Sequence, residues 1–182
     1  MRVIGIAGSL RRASYNRALL NAAVALAPPS LTIVPVPLDA IPLYNGDVDT
    51  DQLRPAGVVK LKQDVADADG VLIVSPEYNH SVPGVLQNTI DWISRPGTRS
   101  VLVGKPVAII GASPGAIGTA RAQQQLKLVM MSTLALVMAH TGVVVGQAGE
   151  KFDASGALTH EPTRLFLAKF LADFEQWIAR LK

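Results

Sequence analysis

Apolar residues occur along this chain in short blocks that alternate with amphipathic stretches. Val3-Ile4-Gly5-Ile6-Ala7, Val71-Leu72-Ile73-Val74 and Val107-Ala108-Ile109-Ile110 carry no polar position. Runs of that length and composition predict strands buried on both faces. Leu31-Thr32-Ile33-Val34-Pro35-Val36 predicts another, and Pro35, which lacks an N–H, assigns it to a sheet edge. Thr141-Gly142-Val143-Val144-Val145 predicts a fifth. Between these blocks helical spacing predicts helices over 18–26, 55–68, 83–94 and 119–139. Gly70, after Asp67-Ala68-Asp69, reads as the stop of the second helix. A last helix is marked by Thr159 and Pro162 and shows Leu165, Phe166, Phe170, Phe174, Trp177 and Ile178 at helical spacing.

Strands alternating with helices predict an α/β fold: a five-stranded parallel sheet covered on both faces, with right-handed crossovers. No internal repeat, low-complexity stretch or linker interrupts residues 1–182, which read as one domain. In such sheets ligands bind beyond the carboxyl ends of the strands, where the strand order reverses. In the order 2-1-3-4-5, the loops 8–16, 75–84 and 111–118 converge on one crevice. These loops also have the most unusual compositions.

The first of them, Gly8-Ser9-Leu10-Arg11-Arg12-Ala13-Ser14-Tyr15-Asn16, joins a strand to a helix start. A helix N-terminus offers unpaired N–H groups and the positive end of a dipole. Ser9, Ser14 and Asn16 add side-chain donors, and Arg11 and Arg12 add charge, so a phosphate monoester suits the loop. No Gly-Lys-Ser/Thr follows and no Gly-x-Gly-x-x-Gly is present, which excludes the common nucleotide loops. Taken alone, the stretch reads equally as an N-capped helix start with two solvated arginines.

Composition narrows the chemistry. The chain has no cysteine, so thiolate nucleophiles, disulfides and Cys-based metal sites are excluded, and redox work falls to a bound cofactor. Its formal charge of +3 comes without a Lys/Arg run, which favours small anions over nucleic acid. His80, His140 and His160 have no metal-ligand spacing, and His140 reads as the residue ending the fourth helix. No charged and apolar leader precedes the first strand, and no apolar segment approaches the ~20 residues that span a bilayer. A cytoplasmic protein without membrane insertion is the expectation. Gly111-Ala112-Ser113-Pro114-Gly115 matches the nucleophile-elbow pattern of hydrolases, but Pro114 has no N–H for an oxyanion.

Three motifs resemble those of the NADPH-dependent FMN reductase family, which includes quinone, chromate and azo-dye reductases. Residues 8–16 are similar to its FMN-phosphate loop. Residues 76–88, Pro-Glu-Tyr-Asn-His-Ser-Val-Pro-Gly-Val-Leu-Gln-Asn, running into Asp91-Trp92, resemble its flavin-ring loop and following helix. Residues 111–115, with Gly118, resemble a further ring loop, and Leu43-Tyr44-Asn45 sits where the family has a similar loop. Gln87 departs from the Lys common at its position. The resemblance implies a flavodoxin-like three-layer sandwich holding non-covalent FMN, with NADPH or NADH as co-substrate. Ser9, Arg11, Ser14 and Asn16 would hold the phosphate. Pro76, Glu77, Tyr78 and Asn79 would run along the isoalloxazine, with Ser113 and Gly115 opposite. No side chain would be a catalytic acid or base. Hydride would pass from nicotinamide to flavin and on to a small-molecule electron acceptor (quinone, chromate, azo compound or flavin) in ping-pong order. A non-enzymatic FMN electron carrier and a flavin-binding sensor are the alternatives. The resemblance also implies a homodimer or homotetramer, which the apolar residues spread round the 126–138 stretch would accommodate.

Overall fold

A computed structural model describes all 182 residues. The strands are β1 (Arg2–Ala7), β2 (Thr32–Val36), β3 (Gly70–Val74), β4 (Pro106–Ala112), β5 (Leu136–Val137) and β6 (Val143–Val145). The helices are α1 (Tyr15–Leu26), α2 (Ala56–Ala66), α3 (Gly84–Ile93), α4 (Ala120–Ser132) and α5 (Glu161–Leu181). All sheet pairings are parallel, in the order β2-β1-β3-β4-β5, and β6 also pairs with β4. β2 lies at the edge, so Pro35 needs no inward donor there.

Strand alternation divides the apolar residues between two cores. Leu72, Val74, Ala108 and Ile110 pack with Leu19 and Leu20 of α1 and Leu167, Phe170 and Phe174 of α5. Val71, Ile73, Val107 and Ile109 pack with Leu61 of α2, Leu86 and Ile90 of α3, and Leu126 and Met130 of α4. The result is the flavodoxin-like three-layer sandwich. Burying one such side chain stabilises by about 1.5–3 kcal/mol, so both layers depend on the sheet between them.

The fifth sheet position is shared, which makes six strands where five were expected. β5 pairs with Pro106 and Val107, and β6 with Ile110 to Ala112. The expected helix over 119–139 accordingly stops at Ser132. Leu134 takes φ 63°. Leu136 N–H then donates to the Lys105 carbonyl and Met138 N–H to the Val107 carbonyl. Bonding to β4 outcompetes the helix propensity of an apolar run that contains no Gly or Pro. His140 therefore sits between β5 and β6 rather than at a helix end.

Gly70 is the first residue of β3, not a helix stop. A Cβ there would press on Ile178, the Pro106 carbonyl and Phe174, at 3.0–3.2 Å. The start of α5 is likewise shifted: its N-cap is His160 rather than Thr159, with Pro162 in the first turn.

Candidate functional site

The strand ladder brings three loops together. Gly8 N–H donates to the Val74 carbonyl, Ser75 N–H to Ile110, and Ser113 N–H to Val145, all at 2.9 Å. Each bond extends the sheet by one residue at its carboxyl edge, so the loops after β1, β3 and β4 leave side by side. Gly111 makes this possible, because a Cβ there would collide with the Ser75 carbonyl and Thr119 Oγ1.

Ser9, Arg11, Ser14, Asn16, Pro76, Glu77, Tyr78 and Ser113 line one cleft at this edge. Asn79 and Gly115 line the open slot that continues it, again with Glu77 and Ser113. All ten residues singled out from the sequence thus stand in one crevice. Tyr15, Ala112 and Pro114 line it as well. They were missed because a helix-start aromatic and two small loop residues carry no signal of their own.

The loop 8–16 has free donors. Ser14 is the N-cap of α1, and its Oγ accepts from the Asn16 and Arg17 N–H groups. Its own hydroxyl proton remains available. The N–H groups of Arg12, Ala13, Ser14 and Tyr15 have no protein acceptor. Arg11, Arg12 and Arg17 take part in no ion pair. Four orphan N–H groups, one hydroxyl and an uncompensated guanidinium fit a phosphate dianion.

Asn16 does different work. Its buried amide exchanges two hydrogen bonds with the Ala112 backbone, at 2.8 and 2.9 Å, and ties the first loop to the third. Glu77 is committed in a similar way. Its carboxylate accepts from the Arg121 and Ala122 N–H groups at 3.0 Å and caps α4, with Arg121 Nε at 3.3 Å. Contact between Glu77 and a ligand is thereby left to its backbone.

The wall of the slot is a tight turn. Tyr78 and Ser81 exchange backbone hydrogen bonds, and Asn79 and His80 take φ 50° and 63°. Positive φ at both central residues defines a type I′ turn, which Asn tolerates well. From α4, Gln125 holds it through Ser81 Oγ (2.6 Å) and the His80 carbonyl (3.1 Å). Tyr78 is 45% exposed, and its hydroxyl reaches Ser9 Oγ at 3.2 Å. Gly115 faces it with ordinary φ, and a Cβ there would meet no protein atom nearer than Ser113 Oγ at 3.7 Å. The fold itself does not require glycine at this position. Ser113 Oγ accepts from the Gly115 N–H at 3.3 Å, and although His80 lines the same slot, no hydrogen bond joins the two, consistent with rejection of the elbow reading.

The remaining motif residues are structural. Trp92 is fully buried and donates from Nε1 to the Pro42 carbonyl. Asn88 clasps the same loop, accepting from Tyr44 N–H and donating to Pro42. Asn45 caps a turn through the Asp47 N–H. Gln87 bonds only to Asp91, at 3.4 Å. No cluster of three or more His, Asp or Glu side chains could hold a metal ion, and no helix is long and apolar enough to cross a membrane.

Comparison with known proteins gives a consistent result. The family model of NADPH-dependent FMN reductase matches residues 1–150. A 2-hydroxy-1,4-benzoquinone reductase from Burkholderia sp. is 42% identical over 178 residues, covering 98% of this chain and 96% of that protein. A quinone reductase of Escherichia coli K12 is 39% identical over 184 residues, covering 100% and 97%. Among solved structures, FerB from Paracoccus denitrificans, a flavoenzyme NAD(P)H:(acceptor) oxidoreductase, superposes with a TM-score of 0.89 at 37% identity, over 98% of this chain and 97% of that one.

Proposed function

Because the chain belongs to the NADPH-dependent FMN reductase family, we propose that its crevice holds FMN and passes electrons from NAD(P)H to a quinone. What is established is coarser: the chain is an oxidoreductase of a family that uses FMN with NAD(P)H as co-substrate. The site residues, the acceptor class and the order of steps are our reading.

The observation that carries this reading is the set of unspent donors beside a flat slot. Arg11, the Ser14 hydroxyl and the N–H groups of Arg12 to Tyr15 neutralise and orient the phosphate. Ser9 acts through the Tyr78 hydroxyl to fix one wall. Pro76, Tyr78 and Asn79 shield one side of the ring from water, and Ser113 and Gly115 border the other. Glu77 and Asn16 hold these loops in place through α4 and Ala112. Bound there, FMN supplies the two-electron exchange, so none of these side chains need act as a strong acid or base. Positioning and exclusion of water are the protein's share.

The relatives' names favour a quinone, since two of them are quinone reductases. Nicotinamide and quinone use the same open side of the slot in turn, giving ping-pong kinetics. Anaerobic NADPH should bleach the flavin absorbance of the FMN-loaded protein, and benzoquinone should restore it. Double-reciprocal plots should be parallel. Intersecting lines would contradict the shared slot, and a flavin that stays yellow would contradict direct reduction by NADPH.

We also read residues 1–182 as one domain, because α5, beyond the family match, shares the core of α1 and the sheet. A homodimer or homotetramer is proposed from Leu128, Met131 and Leu134, exposed at 68%, 59% and 53%. Light scattering that reports a monomer at micromolar concentration would refute it.

A further inference from the structure

Reduction of a quinone to a hydroquinone makes two O–H bonds, so it takes two protons as well as an electron pair. The electrons and one proton come from NAD(P)H by way of the bound flavin. The second proton needs a donor beside the quinone, and transfer from a placed side chain speeds such a step by about 10²–10⁴.

The open slot that continues the flavin crevice encloses about 260 Å³, and its titratable side chains are Glu77, His80 and Arg121. Glu77 spends its carboxylate on the Arg121 and Ala122 N–H groups. Arg121 keeps its proton at any working pH, and its Nε faces Glu77 at 3.3 Å. The Ser113 hydroxyl is a far weaker acid than an imidazolium, and the Tyr78 hydroxyl turns to Ser9 Oγ in the adjoining cleft. His80 is left. Imidazole is the side chain suited to exchange protons near neutral pH.

Its setting differs from that of the other histidines. His140 Nδ1 accepts from the Gly142 N–H, and His160 Nδ1 lies 2.8 Å from the Thr163 hydroxyl. Neither ring nitrogen of His80 has a protein partner, and the residue is exposed at the slot. Its backbone, by contrast, is held: φ is 63° in the tight turn, and Gln125 Nε2 donates to its carbonyl at 3.1 Å. A fixed turn thus presents an uncommitted ring where the acceptor would lie.

We propose that His80 is the acid that protonates the acceptor. The inference rests on the reading of the slot as the quinone's place. As electrons from NAD(P)H break the quinone C=O π bond, one oxygen becomes a phenolate. The His80 N–H bond breaks, its proton forms the hydroquinone O–H, and the neutral ring takes a proton back from water at the open mouth. NAD(P)H is oxidised and the quinone reduced, by two electrons each.

The test compares reoxidation of the NADPH-reduced, FMN-loaded protein by benzoquinone, which needs protons, and by ferricyanide, which takes electrons alone. His80→Asn puts a residue at ease with positive φ in the turn. In that variant the ratio of the limiting quinone rate to the ferricyanide rate should fall about hundredfold. In His80→Gly, added imidazole should raise the quinone rate about tenfold or more. Independently of turnover, hydroquinone added to the oxidised FMN-loaded native chain should shift the ¹⁵N resonances of the His80 ring more than those of His140 and His160. An unchanged ratio would overturn the proposal, as would a fall confined to the half-saturating quinone concentration. A His80 ring that hydroquinone leaves unmoved would overturn it too. Failure of benzoquinone to reoxidise the native chain sinks the reading of the slot, and this inference with it, before any variant is compared.

Discussion

The two edges of the sheet use similar charges in opposite ways. At the amino edge Arg2, Lys60, Lys105 and Lys182 each have a partner. Arg2 and Lys60 pair with Asp64 at 3.4 and 2.6 Å, and Lys182 pairs with Asp69 at 2.7 Å. Lys105, its pKa lowered by burial, donates to the Ala66 and Ala68 carbonyls. At the carboxyl edge Arg11, Arg12 and Arg17 are unpaired, and four N–H groups have no acceptor. Charge at the first edge is spent on joining α2, β3 and the chain ends. Charge at the second is left without a protein partner, which is the basis for proposing a ligand there. That difference separates paired from unpaired charge.

The largest effect should come where the carboxyl edge does carry structure. Asn16→Ala strands the buried N–H and carbonyl of Ala112 and should cost about 2–4 kcal/mol in chemical denaturation, with weaker FMN binding as loops one and three part. Arg11→Gln should do the reverse. FMN affinity should fall about tenfold or more, while unfolding free energy moves by less than about 0.5 kcal/mol. A variant that loses stability but keeps FMN would break the comparison.

These two residues also mark how far the sequence was legible. Buried strands, edge Pro35 and the converging loops followed from apolar runs and small-residue composition. Asn16 looked like one more phosphate donor, because its chemistry is the same whether its amide faces a ligand or Ala112, 96 positions away in sequence. Glu77, expected along the ring from the resemblance, lines the slot while its carboxylate caps α4. Leu134 to Met138 read as helix because only pairing with β4 turns it to strand. Each of these side-chain and backbone contacts joins distant segments, which local pattern does not encode.

At the amino edge the expected effects are smaller. Asp69→Asn should cost about 0.5–1 kcal/mol and leave FMN affinity untouched, since an exposed pair contributes little. The pH profile sharpens this. The Lys60 hydrogen bond, with Arg2 adding to it, holds the Asp64 carboxyl below its ordinary 3.8. Lys182 and the Arg2 N–H do the same for Asp69. Because both folded values are depressed, their stabilisation is fully present above the unfolded value and is lost as pH falls through the folded one. Thermal melts between about pH 5 and pH 2 should show a loss that Asp64→Asn and Asp69→Asn reduce. Equal acid sensitivity in the variants would contradict that assignment.

The central claim is that the unspent donors at the carboxyl edge are the FMN-phosphate site. The most direct measurement is a ¹⁵N amide shift map on adding FMN to flavin-free protein. The largest shifts should fall on Arg12, Ala13, Ser14 and Tyr15, with Tyr78 and Gly115 next, while Arg2, Asp64 and Asp69 stay still. Saturation by FMN with the amides of residues 12–15 unmoved would contradict the account.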